Sequence, residues 1–159
     1  MKTAFVTVAT IALLVAPPVE SVSGRTTGVA ASCDASLWSR VYSPKRLVVV
    51  DPCIEVTGVI AESDANTDGD EHFLLKLDPG QDRLLSKRNV KKKGGALVVE
   101  IVCANPAKPK KAKKACAGYT NHIAIPAVGA HVRVTGSYVT DTHNNWMEIL
   151  PVSQIQLIK

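Results

Sequence analysis

Two acidic and two histidine side chains give the sequence its candidate for acid–base or metal chemistry. Asp141, His143 and Glu148 lie close together, around a predicted turn and strand, and His72 lies on the polar side of an earlier alternating segment. Carboxylates and imidazoles transfer protons and hold metal ions, so their convergence would predict a hydrolase site. The alternative is a hairpin turn whose polar side chains bond their own backbone, with Trp146 anchored in the core.

A second candidate is the acidic segment 64–70, which follows the first half of a calcium-loop pattern, D-x-N-x-D-G. Its ligands would be the side chains of Asp64, Asn66, Asp68 and Asp70. The closing glutamate is missing, because Leu75 stands at the twelfth position, and the flanking residues are strand-like. The segment therefore predicts either a weak calcium site or only an acidic hairpin loop. No other cofactor is indicated.

Most of the positive charge lies in two short segments. Residues 83–93 carry six basic side chains and residues 104–118 carry five, with no acid in either, so a net charge of +5 hides a remainder of −6. We expect both segments to be solvated loops on the same side of the fold, where they would attract an anionic polymer, either nucleic acid or an acidic polysaccharide. The alternative is that they only maintain solubility. The candidate anion-binding residues are Lys87, Arg88, Lys91, Lys92, Lys93, Lys108, Lys110, Lys111, Lys113 and Lys114.

The N-terminus follows the order of a secretory signal peptide. Lys2 precedes an apolar run over residues 4–16, two prolines end it, and small residues suitable for cleavage follow. The run is shorter than the ~20 residues that a membrane-spanning helix needs, and no later segment is long enough. We therefore expect a signal peptide over residues 1–24, no transmembrane segment after its removal, and a protein that is secreted or held in the cell envelope or periplasm.

Export is consistent with the four cysteines, because an even number in an exported chain predicts two disulfides. Among the three possible connectivities, Cys33–Cys53 and Cys103–Cys116 are favoured because each closes a modest loop. A zinc site is disfavoured because the sequence has no C-x-x-C pair.

The elements that would position these residues are predominantly strands. Residues 34–43 predict a short helix, and a connection over 104–130 separates the third predicted strand from the fourth. Three strands, a long connection and two further strands favour an all-β, five-stranded OB-like Greek-key barrel, with a small β-sandwich as the alternative. An N-terminal extension over 25–52 and a barrel domain over 53–159 follow from this assignment. The predicted strands are 53–61, 71–78, 96–103, 131–140 and 146–158, the last interrupted at Pro151.

Several motifs resemble those of an uncharacterised family of exported bacterial proteins with an OB-like fold. They are C-I-E-V-T-G from Cys53, D-G-D-E-H from Asp68, L-V-V-E-I-V-C from Leu97, P-A-V-G from Pro126, and V-T-G-S-Y-V from Val134 leading into W-M-E-I at Trp146. The family ends in a W-x-E-I-H-P motif, and Leu150 replaces its histidine here. The resemblance implies a fold and an export route but no activity.

The sequence contains no complete catalytic motif, so it favours a binding function over catalysis. We expect an exported, disulfide-stabilised OB-like module that binds an anionic polymer through residues 83–93 and 104–118. The alternatives are a metal-dependent phosphodiesterase or other hydrolase, and a structural protein of the envelope. Fold alone does not decide among them.

Overall fold

A computed structural model describes residue 1 and residues 32–158. Most of the predicted signal peptide lies outside these residues. Within them the fold is mostly β, with five strands and a few short helices, which confirms the predicted class. The strands are β1 (Leu47–Ala65), β2 (Glu71–Leu77), β3 (Leu97–Ile101), β4 (His131–Asp141) and β5 (Trp146–Leu157).

The five strands form one mixed sheet in the order β1-β2-β3-β5-β4, and β4 returns to pair with β1. All pairs are antiparallel except β3 with β5. The sheet closes because β1 is 19 residues long and serves two neighbours: residues 47–59 pair with β4 and residues 58–65 pair with β2. Irregular registers along β1 bend it sharply enough to do so.

Two strand predictions differ from the structure in their extent. β1 begins at Leu47 rather than at residue 53, so the predicted domain boundary falls inside this strand. Pro52 is tolerated because it lies in the irregular register between Asp51 and Ile54. β5 continues through Pro151, and the predicted interruption appears as a break in its register with β4.

Both basic segments contain a helix, which corrects the prediction that they are loops. The first helix, α1 (Lys87–Lys92), is closed by a capping box, in which Ser86 accepts from the Asn89 backbone and the Asn89 side chain accepts from the Ser86 backbone. The second, α2 (Lys110–Ala115), consists of lysine and alanine, both good helix formers. Pro109 does not disturb α2 because it precedes the first helical residue.

The predicted N-terminal helix is a short 3₁₀ helix, η1 (Ala35–Arg40), capped by the Asp34 side chain. Two further 3₁₀ helices follow, η2 (Pro44–Arg46) and η3 (Asp82–Leu84). η2 immediately precedes β1, and this placement determines where the side chain of Arg46 lies.

Side chains from all five strands fill the interior of the sheet with a hydrophobic core, which includes Val56, Phe73, Val99, Val134 and Ile149. Because strand side chains alternate between faces, the residues between these core positions lie on the outer face. A smaller cluster there packs η1 against the sheet through Leu37, Val41, Val102, Val139 and Leu150.

The two predicted disulfides are both present. Cys33–Cys53 joins the N-terminal segment to β1, and Cys103–Cys116 joins the end of β3 to the end of α2. The structure describes no free cysteine. Disulfides persist in oxidising compartments, so the pair indicates an environment outside the cytoplasm. Within residues 32–158, no helix has the length and apolar character needed to cross a membrane.

Candidate functional site

An open pocket of about 380 Å³ lies on the outer face of the sheet. Its walls come from the β1–β2 hairpin, the outer side of β2 and β3, the start of β5 and the end of α1. The side chains that carry its chemistry are Arg46, Glu62, Asp64, Asn66, Asp68, His72, Lys93, Glu100, Asn144 and Trp146.

Strand register brings residues that are distant in sequence into one polar stripe across the outer face. Asp64 is paired with His72, and His72 is paired with Glu100. Glu148 on β5 is paired with Val98 and Asp141 on β4 is paired with Trp146, which extends the stripe over β5 and β4. Paired residues share a face, so the stripe crosses all five strands.

Arg46 lies over the middle of this stripe and joins two of its buried carboxylates. Its guanidinium lies 3.8 Å from an oxygen of Glu100 and 3.5 Å from an oxygen of Asp141. Both acids are at most 2 % exposed. A buried carboxylate is costly without a cation nearby, so Arg46 is the residue that allows both to remain buried.

His72 faces the pocket with a buried acid behind it. Its Nε2 lies 3.4 Å from an oxygen of Glu100, and the amide nitrogen of Asn66 contacts the ring. Burial acts to lower the pKa of His72, but the hydrogen bond and charge of Glu100 outweigh it, so the pKa is raised. The pair is therefore an acid–base group that opens onto the pocket.

Glu148 is fully buried beneath the pocket wall. One of its oxygens accepts a hydrogen bond from Trp146 Nε1 at 2.9 Å, and the other, Oε1, has no partner. Burial raises the pKa of Glu148 to about 8, and the nearby Glu100 carboxylate adds to this effect. The carboxyl group therefore keeps its proton at neutral pH.

The four candidate residues for acid–base chemistry converge only in part. His72, Asp141 and Glu148 all lie around Arg46 and Glu100, whereas the His143 side chain is exposed in the β4–β5 turn and is not part of the pocket wall. Asp141 accepts hydrogen bonds from the backbone N–H groups of His143 and Asn144. The hairpin-turn alternative is thus correct for Asp141, while its placement of Trp146 in the core is wrong.

The four candidate calcium ligands also separate. Asp64, Asn66 and Asp68 line the pocket, but Asp70 is buried and accepts a hydrogen bond from the Cys103 backbone. Burial raises the pKa of Asp70 to about 7. In the part of the chain that the structure describes, no three His, Cys, Asp or Glu side chains are grouped to hold a metal ion. Calcium binding stays a prediction.

The two basic segments lie at opposite ends of β3 rather than side by side, because Asn89 of α1 bonds Ala96 just before the strand, whereas a disulfide ties the end of α2 to Cys103 just after it. The expected single patch is therefore not formed, and the acidic pocket lies between the two helices. None of the ion pairs found within residues 32–158 uses a cation of either segment. Lys93 instead places its ammonium 4.2 Å from the centre of the Trp146 ring.

Sequence reasoning missed Arg46 and Glu100, the central pair of the site. Glu100 had a signal, because it is the only charged residue in the apolar segment 96–103. Arg46 had none, since a basic residue after a proline is typical of any exposed turn. No family model matches the sequence, and no curated protein matches it significantly.

Proposed function

We propose that this chain is an exported OB-type module that binds an anionic polymer through α1 and α2. The closed strand order and the two disulfides support the fold type and the export route, and the motif resemblance is consistent with both. The polymer would be a nucleic acid or an acidic polysaccharide, whose repeated charges suit a surface of repeated cations.

The observation that carries the proposal is the exposure of the basic side chains to solvent. Nine of the ten candidate cations are exposed, and Lys93 is half-buried against Trp146. Clusters of like charge without acidic neighbours repel one another, which raises the free energy of the isolated protein. A polyanion relieves this repulsion and releases its own counterions on binding.

Binding should depend on salt in proportion to the number of cations used. The salt dependence of affinity for heparin and for a single-stranded oligonucleotide should flatten when four exposed lysines of α2 (Lys110, Lys111, Lys113 and Lys114) become Gln. The slope of log K against log salt should fall by about 0.7 for each of these lysines that neutralises a charge of the polymer. Fluorescence anisotropy at several salt concentrations measures this slope.

A variant with Lys45, Lys76 and Arg133 changed to Gln is the control, because it removes three cations that lie outside both basic segments. The proposal is wrong if the slope falls equally in this control and in the α2 variant, or if neither polymer binds at low salt. Retention of binding by only one polymer identifies the class of partner.

A second candidate function is hydrolysis of a phosphodiester at the pocket, with or without a metal ion. The observation that favours it is the His72–Glu100 pair, which opens onto a cavity that also contains Arg46. His72 would act as general acid or base, and Glu100 would orient its ring. Arg46 would attract the phosphate, although two carboxylates already contact it.

Hydrolysis of bis(p-nitrophenyl) phosphate, with and without Ca²⁺ or Zn²⁺, tests this candidate. His72→Gln should lower the rate by roughly 10²-fold, as expected for loss of a general acid or base. His122→Gln, at an exposed position outside the pocket, should leave the rate unchanged. Equal rates in the two variants, or no turnover by the unmodified protein, would exclude hydrolysis by this pair.

A further inference from the structure

The pocket between the two basic helices carries the opposite charge to the helices themselves. Four carboxylates line it, from Glu62, Asp64, Asp68 and Glu100, against the cations of Arg46 and Lys93 and the imidazole of His72. A further buried acid, Asp141, lies behind this wall. The polyanion proposed above is therefore not expected to bind in this pocket. The negative charge of the pocket needs a separate explanation.

The charges around the pocket shift the pKa values of three groups in the direction that a negative potential requires. Apart from the effect of burial, the pKa of His72 is raised by Glu100 and by Asp68. The Asp68 charge contributes to the raised pKa of Asp70, and the Glu100 charge contributes to that of Glu148. A negative potential that opposes further negative charge favours a positive ligand.

An unpartnered buried group supports a ligand in this pocket independently. Glu148 shares the outer face with Trp146, and its Oε1 is a buried polar atom without a hydrogen-bond partner. Buried polar groups are rarely left unpaired, so this atom, on a carboxyl group whose other oxygen bonds the pocket residue Trp146, indicates that a polar partner is missing here.

One wall of the pocket already holds an ammonium group. The Lys93 side chain places Nζ over the Trp146 indole, 4.2 Å from the ring centre, and both residues line the pocket. Aromatic faces attract ammonium and guanidinium ions. Lys93 caps the C-terminal end of α1 and has a flexible stem, so its ammonium can leave the ring when another cation arrives.

We propose that this pocket binds an organic ligand through a primary ammonium group, with Trp146 as the aromatic wall, Asp64 and Asp68 as the charge partners, and Lys93 as an internal competitor. The ligand's ammonium takes the place of the Lys93 ammonium on the indole. A cavity of about 380 Å³ has room for a short alkylammonium chain. The site shares only Lys93 with the ten candidate anion-binding residues, so either proposal can fail without the other.

Titration of the oxidised full chain with n-butylammonium tests the proposal, with tryptophan fluorescence and calorimetry as readouts. Saturable binding is expected for n-butylammonium and none for n-butanol, which has the same chain without the charge. Asp64→Asn should weaken binding about threefold to fivefold, because Asp64 is an exposed charge partner. Asp82→Asn, at an exposed acid outside the pocket, should not change it.

Lys93 provides a second test, because its ammonium repels a cationic ligand and also covers the indole face that the ligand would contact. Lys93→Gln removes the competitor and should tighten n-butylammonium binding about threefold. Lys91→Gln, at an exposed residue of the same helix, should leave the affinity unchanged.

Three results would overturn the proposal. They are no saturable response to n-butylammonium, equal affinity in Asp64→Asn and Asp82→Asn, and weaker rather than tighter binding in Lys93→Gln. In the first of these cases, a calorimetric response to CaCl₂ would assign the pocket to a metal ion instead.

Discussion

Glu148 shows how a single side chain couples the site to pH. Burial and the Glu100 carboxylate raise its pKa to about 8, whereas an unperturbed glutamate has a pKa near 4.5. Between pH 4.5 and about pH 8, Glu148 therefore keeps its proton in the folded state, whereas the unfolded chain has released it. The stabilisation from Glu148 is complete below pH 4.5 and is lost as the pH rises through about 8. Asp70 and His72, whose pKa values are also raised, act in the same direction.

We therefore expect the free energy of unfolding to fall between pH 5 and pH 9. Glu148→Gln keeps an acceptor for Trp146 but cannot ionise, so it should reduce this fall by more than about 1 kcal/mol. Urea denaturation at the two pH values measures the difference. Glu55→Gln, at an exposed acid of β1, should follow the unmodified protein. A Glu148→Gln protein with the same pH dependence as the unmodified chain would contradict the assignment of the proton to Glu148.

At the scale of elements, η2 holds the N-terminal part of the chain against the sheet through one guanidinium. The backbone carbonyl of Arg46 accepts from both the N–H and the hydroxyl of Thr142, while its side chain reaches Glu100 and Asp141. η2, β3 and the end of β4 thus meet at one residue. The arrangement explains how two acids can be buried on the outer face of the sheet.

Removal of the Arg46 guanidinium should destabilise the folded protein. Arg46→Met removes the guanidinium that the two buried carboxylates share and should lower the free energy of unfolding at pH 7 by about 3–5 kcal/mol. Arg46→Lys keeps the charge and should cost less. Lys45→Met changes the exposed neighbour in the same 3₁₀ helix and should stay within about 0.5 kcal/mol. Similar urea midpoints for Arg46→Met and Lys45→Met would show that the guanidinium does not support the buried acids.

At the scale of the whole molecule, charge is distributed by region. Two basic helices lie at opposite ends of β3, and the acidic pocket lies between them. The net charge of +5 for the whole chain therefore describes neither the basic helices nor the acidic pocket. A polymer that contacts both helices has to pass the pocket, whereas a small cation enters the pocket and meets α1 only at Lys93, so the two proposed ligands are attracted by opposite charges.

Local sequence patterns were sufficient to predict the strands and their approximate limits. Alternation placed the segments that became β2 and β4, a β-branched apolar run placed β3, and cysteine spacing favoured the two disulfides that form. The same patterns failed where the local sequence was equally compatible with two kinds of secondary structure. Lysine-rich segments are compatible with loop or helix, and the capping box formed by Ser86 and Asn89 decided for a helix in α1.

The sequence by itself determined the β class, the expectation of two disulfides and the two concentrations of positive charge, because each depends on residue type and local spacing. Only the tertiary structure placed an acidic pocket between the two basic segments. Register across the sheet aligned His72 with Glu100, and η2 added Arg46 from a segment that carries no motif. Pairing between distant strands sets these contacts, and a side chain's immediate neighbours in sequence do not specify its neighbours in space.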